Sequence, residues 1–301
     1  MSNDPSSPYL LHAFTPLRHI SPFDVNMAHD AGFDAVIPYA GITVDEIPAL
    51  VQDVIFSRSP ENGARTGIFL GGRDAFVALD MLAEARQAML PPFEVSVFAD
   101  PSGAFTTAAA MVAVVDRHLH ATGGISGKRV AIFGAKGIVG GIAGVIAAQA
   151  GAQVTLVGHD GIANVQRRAD DFRGRFKVDC QPVDGSTEAA RVAILKTADV
   201  ALCAARAGVR VLTLDNLGAA AGLKVVADVN AVPPSGCEGL ELTNGGDPIA
   251  GTDIAGIGAL AIGNVKFQVQ HQLLQAMRSS PQRLYLDHAD AFRIAQKILG
   301  D

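Results

Sequence analysis

The chain has 301 residues, a length that indicates about two domains. Hydrophobic residues make up 49% and charged residues 18%, which excludes an intrinsically disordered chain, and the net charge of −6 argues against a broad nucleic-acid-binding face. No apolar run reaches the ~18 residues of a membrane-spanning helix, and residues 1–15 do not resemble a signal peptide. We therefore predict a cytoplasmic protein that binds neither nucleic acid nor membranes.

In the first part of the chain, short apolar runs alternate with amphipathic stretches, the pattern of an α/β fold with a parallel sheet. Ser21 and Pro22 indicate the start of one helix, and Thr43 with Glu46 forms a capping box for the next. The predicted elements are strand 9–14, helix 22–30, strand 35–38, a helix from residue 43, strand 68–70, helix 73–89, strand 93–99 and helix 106–122.

A polar, Gly-rich stretch at 123–128 indicates a joint between domains. The sequence beyond it predicts a βαβ unit, in which a Gly-rich turn separates a strand from its helix. The predicted elements are strand 129–133, turn 134–140, helix 139–149, strands 154–157, 176–180, 200–204 and 225–229, and helices 257–277 and 287–299.

The Gly-rich turn carries the strongest chemical signal. Glycines permit a tight turn and the close approach of a pyrophosphate, and the helix N-terminus behind them offers free N–H groups. In the G-x-G-x-x-G register, Ala135 replaces the first glycine, while Gly137 and Gly140 hold the other places and Gly134 can serve the turn. A purely structural turn is the alternative. We predict a dinucleotide site that comprises Gly134, Ala135, Lys136, Gly137, Ile138, Val139 and Gly140.

The end of the next strand bears on which nicotinamide cofactor binds. Asp160 lies 20 residues beyond Gly140, where an acidic side chain accepts hydrogen bonds from the adenosine ribose. No Arg or Lys stands at 159 or 160 to pair with a 2′-phosphate, and His159, Arg167 and Arg168 are weaker candidates for that role. NAD is favoured, with NADP as the second cofactor; the alternative is that His159 and Asp160 only cap the following helix.

Four more polar residues each allow a structural and a functional interpretation. Lys266, a lone cation in the apolar stretch 256–266, either extends to solvent or faces a ligand cleft. Asp100 either caps a helix or binds substrate groups. Asn230, in a loop fixed by prolines, either binds a carboxamide or forms an Asx-type turn, and Arg58 is either a surface charge or a ligand contact.

Cysteine and histidine spacing argues against a metal or disulfide framework. The three cysteines, at 180, 203 and 237, form no C-x-x-C pair, and we predict buried thiols. The eight histidines form no H-E-x-x-H motif, so no metal is predicted, and the absence of G-x-S-x-G leaves nucleophilic catalysis unsupported.

Seven stretches resemble one family, the bacterial NAD(P)-dependent methylene-tetrahydromethanopterin dehydrogenases of one-carbon metabolism. They span nearly the whole chain, which makes them more specific than the Gly-rich turn. The sequence Gly-His-Asp-Gly at 158–161 resembles the form that accepts NAD as well as NADP, whereas the strictly NADP-dependent branch has basic residues at 159 and 160. The matching stretches are 21–28, 53–58, 66–72, 98–107, 157–161, 227–234 and 256–266.

The resemblance implies hydride transfer from methylene-tetrahydromethanopterin to NAD(P), which leaves a methenyl cation, as a step of formaldehyde oxidation. Because the pterin nitrogens stabilise the cation, no strong general base is needed and the enzyme works by orientation. Lys266 matches the family's cleft lysine, which either orients the substrate or tunes its charge. The expected pterin contacts are Asp24, Arg58, Asp100, Phe105, Thr106 and Thr107, and His159, Asp160, Ala205 and Asn230 join the cofactor site.

The same resemblance implies two α/β domains with a cleft between them. Residues 1–123 with 253–301 would hold the pterin, a Rossmann-type domain over 124–252 would hold NAD(P), and the protein would be a homo-oligomer, trimeric or larger. Two alternatives are a methylene-tetrahydrofolate or shikimate-dehydrogenase-like oxidoreductase and a non-catalytic NAD-binding sensor. Folate cyclohydrolase chemistry is disfavoured, because Thr43 stands where a Tyr-x-x-x-Lys motif starting at Tyr39 needs lysine.

Overall fold

The computed structural model describes residues 7–300. Contacts within the chain divide it into two discontinuous units. The first unit comprises the described residues up to Thr106 with Phe267–Ile294, and the second comprises Thr107–Lys266 with the described residues from Ala295 onward. These borders lie inside helices, whereas the predicted domain borders follow residues 123 and 252. The assignment of 107–123, of 253–266 and of the residues from Ala295 onward to the pterin domain stays a prediction.

Both units are α/β structures with parallel sheets, which confirms the predicted fold class. The strands are β1 (Leu10–Thr15), β2 (Ala35–Ala40), β3 (Thr66–Leu70), β4 (Ser96–Ala99), β5 (Arg129–Phe133), β6 (Gln153–Gly158), β7 (Cys180–Asp184), β8 (Val200–Cys203), β9 (Val225–Asp228), β10 (Gly245–Pro248), β11 (Ala255–Ile257) and β12 (Tyr285–Leu286).

The helices cover these sheets. They are α1 (Pro22–Asp30), α2 (Ile47–Phe56), α3 (Ala75–Gln87), α4 (Ala104–His118), α5 (Ile138–Gln149), α6 (Ile162–Phe176), α7 (Glu188–Thr197), α8 (Leu214–Gly218), α9 (Ala259–Ser279) and α10 (His288–Leu299). Within residues 7–300, no helix has the length and hydropathy that a membrane span requires.

The first unit contains a five-stranded parallel sheet in the order β12-β4-β3-β1-β2. All residues of β3 and β4 are buried, as expected for central strands with helices on both faces. Helix α1 begins at the predicted Pro22, whereas α2 begins at Ile47, after a 3₁₀ helix over Val44–Glu46 that follows the predicted start at Thr43. The Ser21 hydroxyl accepts a hydrogen bond from the Phe23 N–H at the start of α1, and the Glu46 carboxylate accepts from the Thr43 N–H and hydroxyl ahead of α2.

The second unit contains a seven-stranded sheet in the order β10-β11-β9-β8-β5-β6-β7, parallel except for the edge strand β10. From β7 to β11 this is the strand order of dinucleotide-binding folds. The order reverses between β5 and β8, and in such sheets a ligand crevice forms at the carboxyl ends of the two strands flanking the reversal.

Asp199 ties together the amino ends of three central strands of this sheet. Its carboxylate accepts hydrogen bonds from the N–H and Nε of Arg129, both at 3.0 Å, and lies 3.3 Å from Nζ of Lys224. Arg129 begins β5, and Asp199 and Lys224 directly precede β8 and β9. The bonds from Arg129 hold the pKa of Asp199 well below its usual value, so the carboxylate is charged at neutral pH.

The predicted strand 176–180 is wrong. Residues up to Phe176 belong to α6, Lys177 ends that helix in the left-handed conformation (φ 58°), and β7 begins only at Cys180. The alternation of Phe176, Val178 and Cys180 suggests a strand. The helical spacing of Phe172 and Phe176, whose rings lie 5.9 Å apart, prevails because both extend the same packed face of α6.

All three cysteines are free and buried, which confirms the predicted buried thiols. Burial raises the pKa of Cys180 to about 11 and that of Cys237 to about 12, and it also raises the pKa of Cys203. The charge of Asp228 adds to the shift at Cys203 and Cys237. Because the thiolate is the reactive form, these side chains are protected both by burial and by protonation.

We expect the native protein to react only slowly with 5,5′-dithiobis(2-nitrobenzoate) at pH 8, whereas all three thiols react at once after unfolding in guanidinium chloride. Absorbance of the released thiolate measures both reactions. Rapid, stoichiometric labelling of even one thiol in the native protein would contradict the buried, protonated state of the cysteines.

Candidate cofactor-binding site

The Gly-rich turn joins β5 to α5 at the point where the strand order reverses. Gly134 has φ 89°, and a Cβ atom built on it would overlap the carbonyl oxygen of Ala204, just beyond β8. A Cβ on Gly140, in the first turn of α5, would lie 2.6 Å from the Gly134 carbonyl oxygen. Glycine at these two positions therefore allows the turn to approach β8 and the helix to approach the turn.

The N-terminus of α5 is open to a ligand. Gly137 is the N-cap residue, and the described structure places no side-chain hydrogen bond at this cap. The first N–H groups of the helix lack partners within it, and the helix dipole places partial positive charge there. A diphosphate is the kind of group that such a terminus binds.

A cavity of about 660 Å³ lies in front of this turn, at the carboxyl ends of β5, β6, β7 and β8. None of the described residues that line it is acidic, whereas four are cationic: Lys136, Arg191, Arg206 and Arg210. Of the residues predicted for the cofactor site, those that line it are Gly134, Ala135, Lys136, Gly137, Ile138, Val139, His159 and Ala205. The cavity thus combines apolar walls with positive charge, as an adenine dinucleotide requires.

Apart from Ala205, the sequence analysis missed the residues that line the cavity after β7 and β8. Gly185 follows β7, and Arg191 in α7 donates a hydrogen bond from Nη1 to its carbonyl oxygen at 3.3 Å. Among the described residues, the buried Nε of Arg191 has no hydrogen-bond partner. Arg206 and Arg210 belong to the loop after β8. These residues follow strands at their carboxyl ends, a position that could have identified them.

Asp160 lies beside the cavity and forms an ion pair. Its carboxylate accepts hydrogen bonds from Lys136 Nζ at 2.6 Å and Asn164 Nδ2 at 3.0 Å, and the bond from Lys136 lowers the pKa of Asp160. The N-cap of α6 is Gly161 and has no side-chain hydrogen bond, so the alternative that His159 and Asp160 cap α6 is wrong. Contact of either residue with the cofactor stays a prediction.

Asn230 forms the Asx-type turn that was one of its two interpretations. Its Oδ1 accepts from the Val232 N–H at 3.0 Å, and its Nδ2 donates to the Pro234 carbonyl oxygen at 3.0 Å. Asp228 supports the same loop by accepting from the N–H groups of Asn230 and Gly236, although burial raises its pKa. Asn230 is not among the residues that line the cavity.

Asp100 caps α4. One carboxylate oxygen accepts from the N–H groups of Phe105 and Thr106 at 2.9 and 3.2 Å, and the other accepts from the Thr106 hydroxyl at 2.7 Å. All three residues are completely buried, whereas Thr107 is partly exposed. The capping interpretation is confirmed. Among the predicted contacts in the stretch 100–107, only Thr107 has exposed surface that a ligand could contact.

Asp24 and Arg58, the other predicted pterin contacts in the first unit, have different surroundings. Asp24 is buried in the first turn of α1 and accepts a hydrogen bond from Gln270 Nε2 at 2.8 Å. Arg58 is half-buried near His12, whose pKa is lowered by burial and by the guanidinium charge. His12 Nδ1 lies 3.2 Å from the Tyr39 hydroxyl, and the sequence analysis did not identify this polar pair.

Lys266 lies in α9 and is only 9% exposed. The alternative that its side chain extends into solvent is therefore wrong. A buried ammonium group needs hydrogen-bonding or charged partners, because transfer out of water is otherwise costly. The burial of Lys266 therefore argues against a purely surface role for its side chain.

A different cavity, of about 700 Å³, lies at the opposite edge of the second sheet. Its lining includes Arg129, Gln153 and Cys180, which begin β5, β6 and β7. In open α/β sheets ligands bind at the carboxyl ends of the strands, so we do not assign the cofactor there. Within residues 7–300, no group of three or more His, Cys, Asp or Glu side chains could hold a metal ion.

The chain is similar to known proteins over nearly its whole length. Residues 22–102 match the family model for the N-terminal part of methylene-tetrahydromethanopterin dehydrogenase. The chain is 49% identical, over 97% of its length and 99% of the relative, to an NAD(P)-dependent methylenetetrahydromethanopterin dehydrogenase of Methylorubrum extorquens. It is 30% identical, over 96% of its length and 98% of the relative, to the bifunctional protein MdtA of the same organism.

Solved structures support the fold. The shikimate 5-dehydrogenase of Listeria monocytogenes, solved with shikimate and NAD, superposes with a TM-score of 0.53 over 99% of both chains. The sequence identity is 14%, so this likeness concerns the fold alone.

We expect Gly134→Ala to destabilise the protein by about 1–3 kcal/mol more than Gly127→Ala, because only the first substitution forces a Cβ against backbone. Gly127, just before β5, also has positive φ (73°) but open space around its Cβ position. Its substitution therefore loses only the free energy needed to hold alanine in the left-handed conformation, about 1 kcal/mol. Urea unfolding of both variants measures the difference, and equal losses would contradict the close approach to Ala204.

Proposed function

Since the chain belongs to the NAD(P)-dependent methylenetetrahydromethanopterin dehydrogenases, we propose that it oxidises methylene-tetrahydromethanopterin to the methenyl form with NAD or NADP as hydride acceptor. The identity of 49% over 97% of the chain is the observation that carries this function. It favours the dehydrogenase over a methylene-tetrahydrofolate enzyme and over a non-catalytic NAD-binding sensor. We place the reaction in formaldehyde oxidation, as the family resemblance suggests.

The second unit has what a dinucleotide needs. The uncapped first turn of α5 can bind the diphosphate, and Lys136, Arg191 and Arg206 can balance its charge. Val209 and Val211 supply apolar wall for the rings. When bound, the nicotinamide supplies the carbon that accepts hydride. The residues of the cavity therefore have the task of binding and orienting, together with Asp160, which we place at the adenosine ribose.

The substrate side of the reaction requires orientation more than proton transfer. The hydride carries both electrons of the broken C–H bond, and the remaining positive charge is shared by the two pterin nitrogens. No proton leaves the carbon, so a buried lysine suits the task of holding a polar group of the pterin in place better than that of a base. We propose Lys266 as this residue, with Asp24, Arg58 and Thr107 as further contacts.

Asp100, Phe105 and Thr106 then contribute by position. Because Asp100 fixes the first turn of α4 through three hydrogen bonds, it determines where Thr107 lies along the helix. We propose that residues 1–123 with 253–301 hold the pterin and residues 124–252 hold the dinucleotide. From the family resemblance we also propose a cytoplasmic homo-oligomer, trimeric or larger, and light scattering on the purified protein tests the subunit number.

We expect turnover of methylene-tetrahydromethanopterin with both NAD and NADP, with NAD the more efficient, because Asp160 suits a free ribose hydroxyl. Steady-state rates from absorbance of the reduced nicotinamide measure kcat/KM for each cofactor, with methylene-tetrahydrofolate as the parallel substrate. Turnover of the folate alone would replace the proposed substrate, and tight NAD binding without any turnover would favour the sensor.

For Lys266→Met we expect kcat to fall about 100-fold, the scale of losses from a misplaced substrate, while the Kd for NAD stays within twofold. Methionine keeps the apolar stem of the buried side chain and removes only its charge. Lys196→Met, at an exposed lysine in the last turn of α7, is the matched control. An unchanged kcat, or an equal loss of NAD affinity, would remove Lys266 from the substrate site.

A further inference from the structure

A small cavity of about 290 Å³ shares Lys136 with the cofactor cavity. Its other lining residues, Asn164, Arg167, Arg168 and Asp171, all belong to α6. Arg168 donates a hydrogen bond to the Lys136 carbonyl oxygen at 3.2 Å, which links α6 to the Gly-rich turn. Three cations thus surround one small space beside the dinucleotide site, and the one acidic residue among the described lining residues, Asp171, lies 4.0 Å from Arg168.

Asp160 stands between these cations. Its carboxylate pairs with Lys136 at 2.6 Å and accepts from the Asn164 side chain, whose own oxygen accepts a hydrogen bond from Arg167. The side chains of Lys136 and Asp160 are 35% and 37% exposed, so water can replace either partner. Ion pairs at such exposure are weak and can exchange partners at little cost.

We propose that the Lys136–Asp160 pair selects between NAD and NADP, with the small cavity as the subsite for the 2′-phosphate. This inference rests on the proposed function, because it assumes that an adenine dinucleotide occupies the larger cavity. Asp160 lies two residues beyond β6, where this strand order holds the adenosine ribose. With NAD, Lys136 stays paired with Asp160, whose carboxylate also accepts from the ribose. With NADP, Lys136 turns to the phosphate and Arg167 joins it.

The charge balance explains how one site tolerates both cofactors. Lys136, Arg167 and Arg168 contribute three positive charges, while Asp160 and Asp171 contribute two negative ones, which leaves a net charge of +1. A 2′-phosphate adds about −2, as phosphate monoesters do near neutral pH, and brings the cluster to about −1. Neither state departs far from neutrality. Asp160 therefore competes with the phosphate for Lys136 without preventing its binding.

The proposal predicts opposite effects for the two partners. Asp160→Asn frees Lys136, so we expect adenosine 2′,5′-bisphosphate to bind about tenfold tighter, on the scale of one charge-assisted hydrogen bond, and 5′-AMP to bind no tighter. Lys136→Met and Arg167→Met each weaken the bisphosphate about tenfold and leave 5′-AMP within about threefold. The ratio of the two dissociation constants isolates the 2′-phosphate, because the probes share the rest of the nucleotide.

Isothermal titration calorimetry on the full chain with both probes, at low ionic strength, measures these ratios without any turnover. Asp170→Asn and Arg173→Met are matched controls, since these residues form an exposed pair at 3.0 Å on the same helix, α6, and do not line the small cavity. We expect both controls to leave the ratio within twofold. Circular dichroism melts confirm that each variant is folded before titration.

Several results would overturn the proposal. The first is an unchanged ratio of the two dissociation constants in Asp160→Asn. The second is an equal loss of affinity for both probes in Lys136→Met, and the third is failure of the unaltered protein to bind the bisphosphate. Failure of the proposed function looks different. If the protein shows no turnover of methylene-tetrahydromethanopterin but the ratios shift as expected, the phosphate subsite is supported and the substrate assignment is wrong. If turnover occurs but the ratios do not shift, the substrate assignment is supported and the phosphate subsite is wrong.

Discussion

The close approach of Gly134 to the end of β8 is the constraint on which the cofactor site depends. The chain must leave β5, pass the Ala204 carbonyl and enter α5 within a few residues, and a side chain at 134 would close that passage. Because the turn is this tight, the N-terminus of α5 lies at the reversal of the strand order. The uncapped helix, the 660 Å³ cavity and the position of Lys136 all follow from that short connection.

Charge is distributed unevenly between the walls of the site and its rim. All charged residues in the described lining of the large cavity are cationic, which suits a diphosphate, whereas the carboxylate of Asp160 lies outside the cavity and pairs with Lys136. In the first unit, by contrast, Asp24 and Asp100 are buried and hydrogen-bonded to neighbouring residues. Such groups define the framework of a site, while the exposed and loosely paired groups can change partners when a ligand binds.

Sequence reasoning correctly predicted the features that local spacing and composition determine. The β5–turn–α5 unit, the start of α1 at Pro22 and the buried cysteines all follow from spacing and composition. It failed where packing or the order of strands in the sheet determines the structure. The strand predicted at 176–180 is mostly the end of α6 and the turn after it, because packing of Phe176 on Phe172 outweighs local alternation. Arg191 and Arg206 line the cavity because β7 and β8 end at the same edge of the sheet as β5, so their position after strand ends becomes informative only with the strand order.

The three buried thiols matter in another way if the one-carbon unit originates from formaldehyde. Formaldehyde is an electrophile, and the thiolate is the nucleophilic form of cysteine that adds to its carbonyl carbon. An enzyme in such a pathway works in the presence of the reagent that threatens its own cysteines. Burial raises the pKa to about 11 at Cys180 and to about 12 at Cys237, and Cys203 is buried within β8, so the fold keeps all three thiols from reacting with such an electrophile.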